Sequence, residues 1–201
     1  PDAGQDPGAG PGSPLHPVAD CGSLSRMTAI PYIERTRRYY AALGYPTPYR
    51  WARHDDVPFH RLDPPLRRAR IALITTASPI ATPRHVYDAA GKFFAVYSGE
   101  TDREHDLRIN HVAIDFQHTT AEDQGSYFPL QALRRAAASG RIGALTRRFH
   151  GAPTRRSQRV TGETDAPEIL RRCREDGADA AILVPNCPVC HQTVSLVARH
   201  L

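Results

Sequence analysis

The stretch Ala180-Ala-Ile-Leu-Val184, followed directly by Pro185-Asn-Cys-Pro-Val-Cys-His191, decides how this chain is expected to fold. An unbroken apolar run, without alternating polar positions, is typical of a strand that is buried on both faces of a parallel sheet. Residues from Val189 to Leu201 have the composition of a final helix. The stretch therefore predicts a junction between strand and helix, with Cys187 and Cys190 just beyond the carboxyl end of the strand.

Two other apolar segments are strand candidates. Arg70-Ile-Ala-Leu-Ile-Thr-Thr-Ala77 is rich in branched residues and ends at Ser78-Pro79, and Leu107 to Ile114 forms the other candidate. Between them, residues 79–106 are polar and predict an irregular loop. Residues 45–66, with several prolines and aromatic side chains, predict an ordered but extended connection.

Three helices are predicted before the last one. Apolar residues from Ile33 to Leu43 recur at helical spacing, and Gly44 follows as a stop. Pro129 to Ala138 begins with a proline suited to a first helical turn. Thr164 to Glu175 repeats that design, with Thr164 or Asp165 as the expected cap. Helices that alternate with apolar strands predict an α/β fold with a mainly parallel sheet flanked by helices.

The first part of the chain differs from the rest in composition. Residues 1–26 consist largely of Pro, Gly, Asp and Ser, which bury little apolar surface, so a disordered N-terminal arm is expected there. The only methionine, Met27, follows at once and is interpreted as the natural start. Residues 27–201 are accordingly predicted to form a single α/β domain.

Charge and cysteine content narrow the classes of function. The net charge is +5, but the arginines that carry it are scattered among acids, which indicates a solvated surface and no nucleic-acid partner. Four cysteines are too few for a secreted disulfide framework. No apolar stretch approaches the ~20 residues of a membrane span. The sequence thus predicts a cytoplasmic protein without a membrane partner.

The Cys187 and Cys190 pair is the strongest candidate for chemistry. A thiol at a helix N-terminus meets unpaired N–H groups, so the pKa of Cys187 is expected to fall. Cys190 lies one helical turn later, where it can resolve a mixed disulfide formed at Cys187. His191 is adjacent and is expected to exchange a proton with either sulfur. This pattern predicts a nucleophile and a resolving thiol.

Other interpretations of the same run stay open. A zinc site would use Cys187, Cys190 and His191 and would need a further ligand from His111, His118 or His150. Cys-Pro-Val-Cys-His also matches the form that attaches c-type haem. Two packed cysteines with no chemical role are the remaining reading. A non-catalytic zinc- or haem-binding module is therefore the alternative function.

The chain resembles the selenoprotein B component of the glycine, sarcosine, betaine and D-proline reductases. Ile182-Leu-Val-Pro-Asn-Cys-Pro-Val-Cys190 is similar to that family's strand followed by selenocysteine-x-x-Cys, and Cys187 takes the selenocysteine position. His111-Val-Ala-Ile-Asp115 and Phe128-Pro-Leu130 look like the family's segments upstream. The similarity covers roughly residues 31–201, and family members continue beyond Leu201.

The resemblance implies an oxidoreductase that cleaves a C–N bond in a small amine or amino acid. It implies no cofactor in this chain, a pyruvoyl group on a partner subunit that activates the amine, and a thioredoxin-like electron donor. Asp115 and His118 follow the second predicted strand, where a parallel sheet would place them near Cys187 to shuttle the proton that a departing amine needs. His111 is interpreted as a core histidine.

Overall fold

The central strand of the sheet is β1, Arg70–Thr75, which pairs with three other strands in parallel. The structure is a computed structural model and describes residues 31–45, 47, 50–80, 92–111, 120–154 and 157–201. One edge of β1 pairs along its length with β5, Ala180–Val184. The opposite edge pairs first with β3, Ala144–Leu145, and then with β4, Arg148–Gly151.

The outermost strand of the sheet is β2, Tyr97–Glu100, which runs antiparallel to β4. The sheet is therefore mainly parallel, as the sequence predicted. The strand expected from Leu107 is wrong over residues 107–111, since this segment makes only an isolated bridge between Arg108 and Ser78. β2 also lies inside the segment 79–106, for which an irregular loop was predicted. Its Tyr-Ser-Gly-Glu sequence lacks the apolar run that identifies a buried strand.

Helices cover both faces of the sheet. They are α1, Tyr32–Ala42; α2, Leu130–Ala138; α3, Gln158–Val160; α4, Ala166–Glu175; and α5, Pro188–His200. A π-helical turn, Thr161–Asp165, joins α3 to α4, and short 3-10 helices span Leu66–Arg68 and Gln124–Ser126. Residues 50–65 have neither helix nor strand, in agreement with the predicted extended connection.

The N-terminus of the third predicted helix lies further upstream than expected. Thr164 and Asp165 are not caps, because both lie within the π-helical turn and Asp165 already has helical dihedral angles. Instead, the Ser157 side chain accepts a hydrogen bond from the Val160 amide at 3.2 Å. At the other end, Gly177 adopts a φ of 67°, the conformation in which glycine ends a helix without strain.

The apolar core explains why β1 is apolar and buried from Ile71 to Ile74. Leu73 packs with Phe149 and the Leu130 end of α2 on one face, while Ile74 packs with Ile169 of α4 and Val197 of α5 on the other. Burying a Leu or Ile side chain stabilises the fold by about 1.5–3 kcal/mol. Cys173 belongs to this core at 5% exposure, and burial raises its pKa to about 11. Cys173 is thus a packed core residue.

Tyr32–Leu201 forms one compact unit. The expected disordered arm, residues 1–26, and Met27 lie outside the described residues. In the part of the chain that the structure describes, no helix is both long and apolar enough to cross a bilayer.

Candidate active site at the end of strands β1 and β5

The carboxyl ends of β1 and β5 meet in register, with Thr75 opposite Val184. One residue further, the Thr76 amide donates to the Val184 carbonyl at 3.3 Å, and the Thr76 hydroxyl accepts from the Asn186 amide at 3.1 Å. These bonds attach the Pro185-Asn186 turn to the end of the central strand. The first residue of the thiol pair, Cys187, follows immediately.

Cys187 is the N-cap of α5. Its backbone is extended, with φ −155° and ψ 169°, and its Sγ accepts a hydrogen bond from the Cys190 amide at 3.2 Å. Pro188, in the first helical turn, has no N–H that would need a partner. The sulfur therefore has the position that a Ser or Asp oxygen takes in an ordinary capped helix.

Cys190 lies one turn along α5 and is fully buried, whereas Cys187 is 5% exposed. The Thr154 hydroxyl donates to the Cys190 sulfur at 3.5 Å. Both sulfurs pack in a small cluster with Tyr40 and Val189, against which Trp51 lies. The prediction that the two thiols lie side by side at the edge of the sheet agrees with this geometry.

Among the described residues, His111 is the histidine that the fold brings to the thiols. A ring nitrogen of His111 and the two sulfurs all lie within 4.8 Å of one another. The bridge between Ser78 and Arg108 holds this segment beside the end of β1, and His111 Nε2 lies 2.9 Å from the Thr76 carbonyl oxygen. Because a carbonyl only accepts, Nε2 carries the proton in this bond. The interpretation of His111 as a core histidine missed its contact with the sulfurs.

His191 occupies a different place from the one predicted. Its side chain is exposed, and Nδ1 lies 3.0 Å from the carbonyl oxygen of Cys187, so it donates to the backbone. It is therefore not part of the group formed by Cys187, Cys190 and His111. The three-ligand set that the sequence suggested, with His191, is replaced by one with His111. The other two predicted residues, Asp115 and His118, lie outside the described residues.

The pKa values of the two thiols differ from the prediction made from the sequence. Burial and the adjacent Cys190 raise the pKa of Cys187 well above the ordinary thiol value. Burial also disfavours a charged Cys190, but hydrogen bonding from Cys187, the charge on His111 and the Thr76 hydroxyl together hold the pKa of Cys190 well below that value. The lowered pKa expected at Cys187 is not found there, because burial and the adjacent Cys190 sulfur outweigh the backbone N–H donors of Val189 and Cys190.

The same pairing acts on the histidine. Burial lowers the pKa of His111, but the negative charge on Cys190 and its hydrogen bond outweigh burial, so the pKa is raised overall. The pair therefore favours a thiolate at Cys190 beside a protonated imidazole at His111.

A cavity of about 890 Å³ opens beside the thiols. Cys187 and Asn186 line it, and its other walls come from α1, from the segment 51–58 and from α5. Cys190 is not among the lining residues. A cavity of this size accommodates a small organic molecule. A haem attached through both sulfurs would need Cys190 to reach this space, and that side chain has no exposed surface.

Two polar contacts hold the segment 51–58 against α5. Gln192 Oε1 accepts from the Ala52 amide at 2.7 Å, and the Arg199 guanidinium donates to the Asp56 carboxylate at 2.6 Å. The Arg199 partner lowers the pKa of Asp56. Both contacts lie beside the cavity, so they fix the wall that faces Cys187.

The chain is similar in sequence to known reductase proteins. Residues 41–186 match the family model described as glycine/sarcosine/betaine reductase selenoprotein B (GRDB). The match ends one residue before Cys187. The chain is also 29% identical over 138 residues to the D-proline reductase subunit gamma of Acetoanaerobium sticklandii (strain ATCC 12662 / DSM 519 / JCM 1433 / CCUG 9281 / NCIMB 10654 / HF).

This alignment covers 67% of the present chain and 55% of the relative, so the chain spans about half the length of that relative. No solved structure gave a significant match. The family model, by contrast, covers well over half of the chain and includes β1 to β5. The chain therefore belongs to the glycine/sarcosine/betaine reductase selenoprotein B family.

Proposed function

We propose that this chain is the thiol-bearing component of a reductase that cleaves a C–N bond in a small amine or amino acid. The observation that carries the proposal is the position of Cys187, a residue that lines the cavity and whose sulfur has a second sulfur within 4.8 Å. Membership of the selenoprotein B family supports the reaction class. Cys187 is the nucleophile, and Cys190 is the resolving thiol.

Access assigns these two roles. Cys187 lines the cavity, so an electrophilic carbon can reach its sulfur, whereas Cys190 is fully buried behind it. A buried thiol adjacent to the nucleophile attacks only what is already bonded to that nucleophile, which is the task of a resolving thiol.

The raised pKa of Cys187 requires a base, and Cys190 supplies it. As Cys187 attacks, its proton passes to the Cys190 thiolate and then to the departing nitrogen. A C–S bond forms and the C–N bond breaks, which releases the amine.

Cys190 then attacks the Cys187 sulfur. An S–S bond forms, the C–S bond breaks, and the electron pair goes to carbon, which takes the proton held on His111. The carbon is reduced by two electrons and the dithiol is oxidised to a disulfide. An external dithiol of thioredoxin type supplies two electrons and two protons to restore both thiols and His111.

A partner subunit belongs to this proposal. The relative from Acetoanaerobium sticklandii is named as a subunit, and the family resemblance implies a pyruvoyl group on a separate subunit. Such a group would make the amine a better leaving group when bound. The residues of this chain would supply the nucleophile and the proton donor.

Trapping with glutathione disulfide tests the two thiol roles. In Cys190→Ser protein, a glutathione adduct is expected to persist on Cys187, since the resolving thiol is gone. In wild-type protein, the adduct is expected to give way to a disulfide between Cys187 and Cys190, read by peptide mass spectrometry. Cys173→Ser is the matched control and should behave as wild type. Adducts that accumulate on Cys190, or an absence of the internal disulfide, would contradict the proposal.

A further inference from the structure

Three donor atoms beside the cavity have the composition of a metal centre. The sulfurs of Cys187 and Cys190 and a ring nitrogen of His111 lie within 4.8 Å of one another, and no other such group occurs among the described residues. Two thiolates and an imidazole are the donors that Zn²⁺ and Co²⁺ take in proteins. We propose that the reduced dithiol and His111 bind one zinc-type divalent ion.

The outer contacts of His111 favour this use. Metal-bound histidines donate their other ring N–H to a carbonyl or carboxylate, which fixes the tautomer and the orientation of the ring. His111 Nε2 has such a partner in the Thr76 carbonyl, at 2.9 Å. The neutral form of the ring then has its lone pair on Nδ1, free to bind an ion.

The other histidines that the sequence offered are engaged elsewhere or lie outside the described residues. His191 donates to the Cys187 carbonyl. His150 is hydrogen-bonded to Ser98 at 2.8 Å and faces Asp176. The described residues thus provide three ligands. A fourth position on the Cys187 side would open to the cavity, as in zinc sites that bind a water or substrate.

The inference rests on the proposed function in one respect, because it concerns the same two sulfurs. Metal binding requires both as thiolates and His111 neutral, so it releases the protons held by Cys187 and His111, whereas the reductase cycle joins the two sulfurs in a disulfide. The two states exclude each other. Bound metal is therefore expected to hold the thiols reduced and to block attack on an electrophile, and oxidation by glutathione disulfide is expected to expel the metal.

Titration of the reduced full chain with Co²⁺ tests the site without reference to catalysis. One equivalent is expected to bind and to give the charge-transfer absorption of cobalt–thiolate bonds. His111→Ala should weaken binding by at least about 100-fold, more than loss of an outer-shell partner costs. His191→Ala is the matched control. It removes a histidine of α5 that is not part of the three-ligand group, so this variant should bind as wild type. Circular dichroism identifies a variant that fails to fold.

A second measurement does not depend on a His111 variant. In wild-type protein, one equivalent of Zn²⁺ should protect Cys187 and Cys190 from alkylation and leave Cys173 unchanged. The inference is overturned if reduced protein binds no Co²⁺, or if His191→Ala loses as much affinity as His111→Ala. A protein that forms the internal disulfide but binds no metal keeps the proposed function, and one that binds metal but forms no disulfide loses that function alone.

Discussion

Two histidines near the carboxyl end of β1, His111 and His150, have pKa values that are shifted in opposite directions. Both imidazoles lose hydration, which lowers the pKa of each. His111 faces the Cys190 sulfur, and the negative charge there raises its pKa above the ordinary value. His150 is fully buried near the guanidiniums of Arg148 and Arg172, and its pKa falls to about 4.

The hydrogen bonds of His150 agree with a neutral ring. Arg172 donates to the Ser98 hydroxyl at 2.8 Å, so that hydroxyl donates its own proton to His150 Nδ1. Asp176 favours the charged form of His150 but is itself bonded to Arg148 at 3.0 Å. The comparison teaches that burial alone does not set the protonation of a histidine: burial lowers the pKa of His150, whereas at His111 the charge on Cys190 and its hydrogen bond outweigh burial.

The largest expected effect concerns the pH dependence of folding at His150. The unfolded chain takes up a proton near pH 6.5, the folded chain only near pH 4, so stability is present above 6.5 and is lost as the pH falls between these values. The loss is about 3 kcal/mol. Urea unfolding at several pH values across this range measures the effect. The free energy of unfolding should fall with falling pH in wild type and should lack this dependence in His150→Gln. Parallel curves would contradict the assignment.

The second largest expected effect concerns His111 and the pKa of Cys190. His111→Gln removes the positive charge beside Cys190, so the pKa of Cys190 should rise and thiolate absorbance should appear only at higher pH. The loss corresponds to about 1.5–3 kcal/mol, the value of a charged hydrogen bond, or about 10- to 100-fold in thiolate population at acidic pH. Wild type should lose thiolate as the pH falls through the lowered pKa of Cys190. His191→Gln, at an exposed position, should leave the titration unchanged.

A smaller change sharpens the same titration. Thr76→Val removes the hydroxyl that lowers the pKa of Cys190 and that accepts from the Asn186 amide. The expected rise in the pKa of Cys190 corresponds to about 1 kcal/mol, the contribution of a neutral hydrogen bond. Thr154→Val, which removes the other hydroxyl beside this sulfur, is the natural comparison. A fall in the pKa of Cys190 with Thr76→Val would show that the hydroxyl does not stabilise the thiolate.

The smallest expected effect is at Arg172. Arg172→Met removes one guanidinium near His150, while Glu168, which accepts from Arg172 at 2.7 Å, keeps its hydrogen bonds to Arg171. Loss of this positive charge favours a protonated imidazole, so the pKa of His150 should rise, by about one unit or less because Arg148 remains. NMR titration of the His150 ring measures it directly. Arg171→Met is the control, since it also removes a partner of Glu168 but leaves both guanidiniums near His150 in place, so the pKa of His150 should change less.

The apolar strands of the sheet were the predictable parts of the fold, although β5 is only half-buried and not covered on both faces as its apolar run predicted. β1 and β5 are continuous apolar runs, and α2 and α4 have prolines and glycines that mark their ends. β2 and β3 are short and partly exposed, so tertiary pairing, not local composition, makes them strands. Leu107 and Ile109 are buried as a strand pattern requires, yet they pack into the core without forming a ladder.

The sequence predicted only the part of the candidate site that lies within one short segment of the chain. Cys187 and Cys190 lie within one helical turn, so their proximity follows from sequence. The contact with His111 depends on a bridge between Ser78 and Arg108, which no local pattern encodes. His191, adjacent in sequence, turns to the backbone instead. The lowered pKa of Cys190 depends on its hydrogen bond with Cys187, which is local, and on the non-local contact with His111.

The hydrogen bond from the Cys190 amide to the Cys187 sulfur has a consequence for the mechanics of α5. In the proposed function, the Cys187 sulfur is both the reacting atom and the cap at the N-terminus of α5. Any bond made to Cys187 weakens it as an acceptor and deprives the first turn of a cap, which in ordinary helices stabilises by about 1 kcal/mol. α5 carries Gln192 and Arg199, which hold the wall of the cavity. In the proposed cycle, each covalent step at the sulfur would therefore loosen the wall of the cavity, and restoring the free thiol would tighten it again.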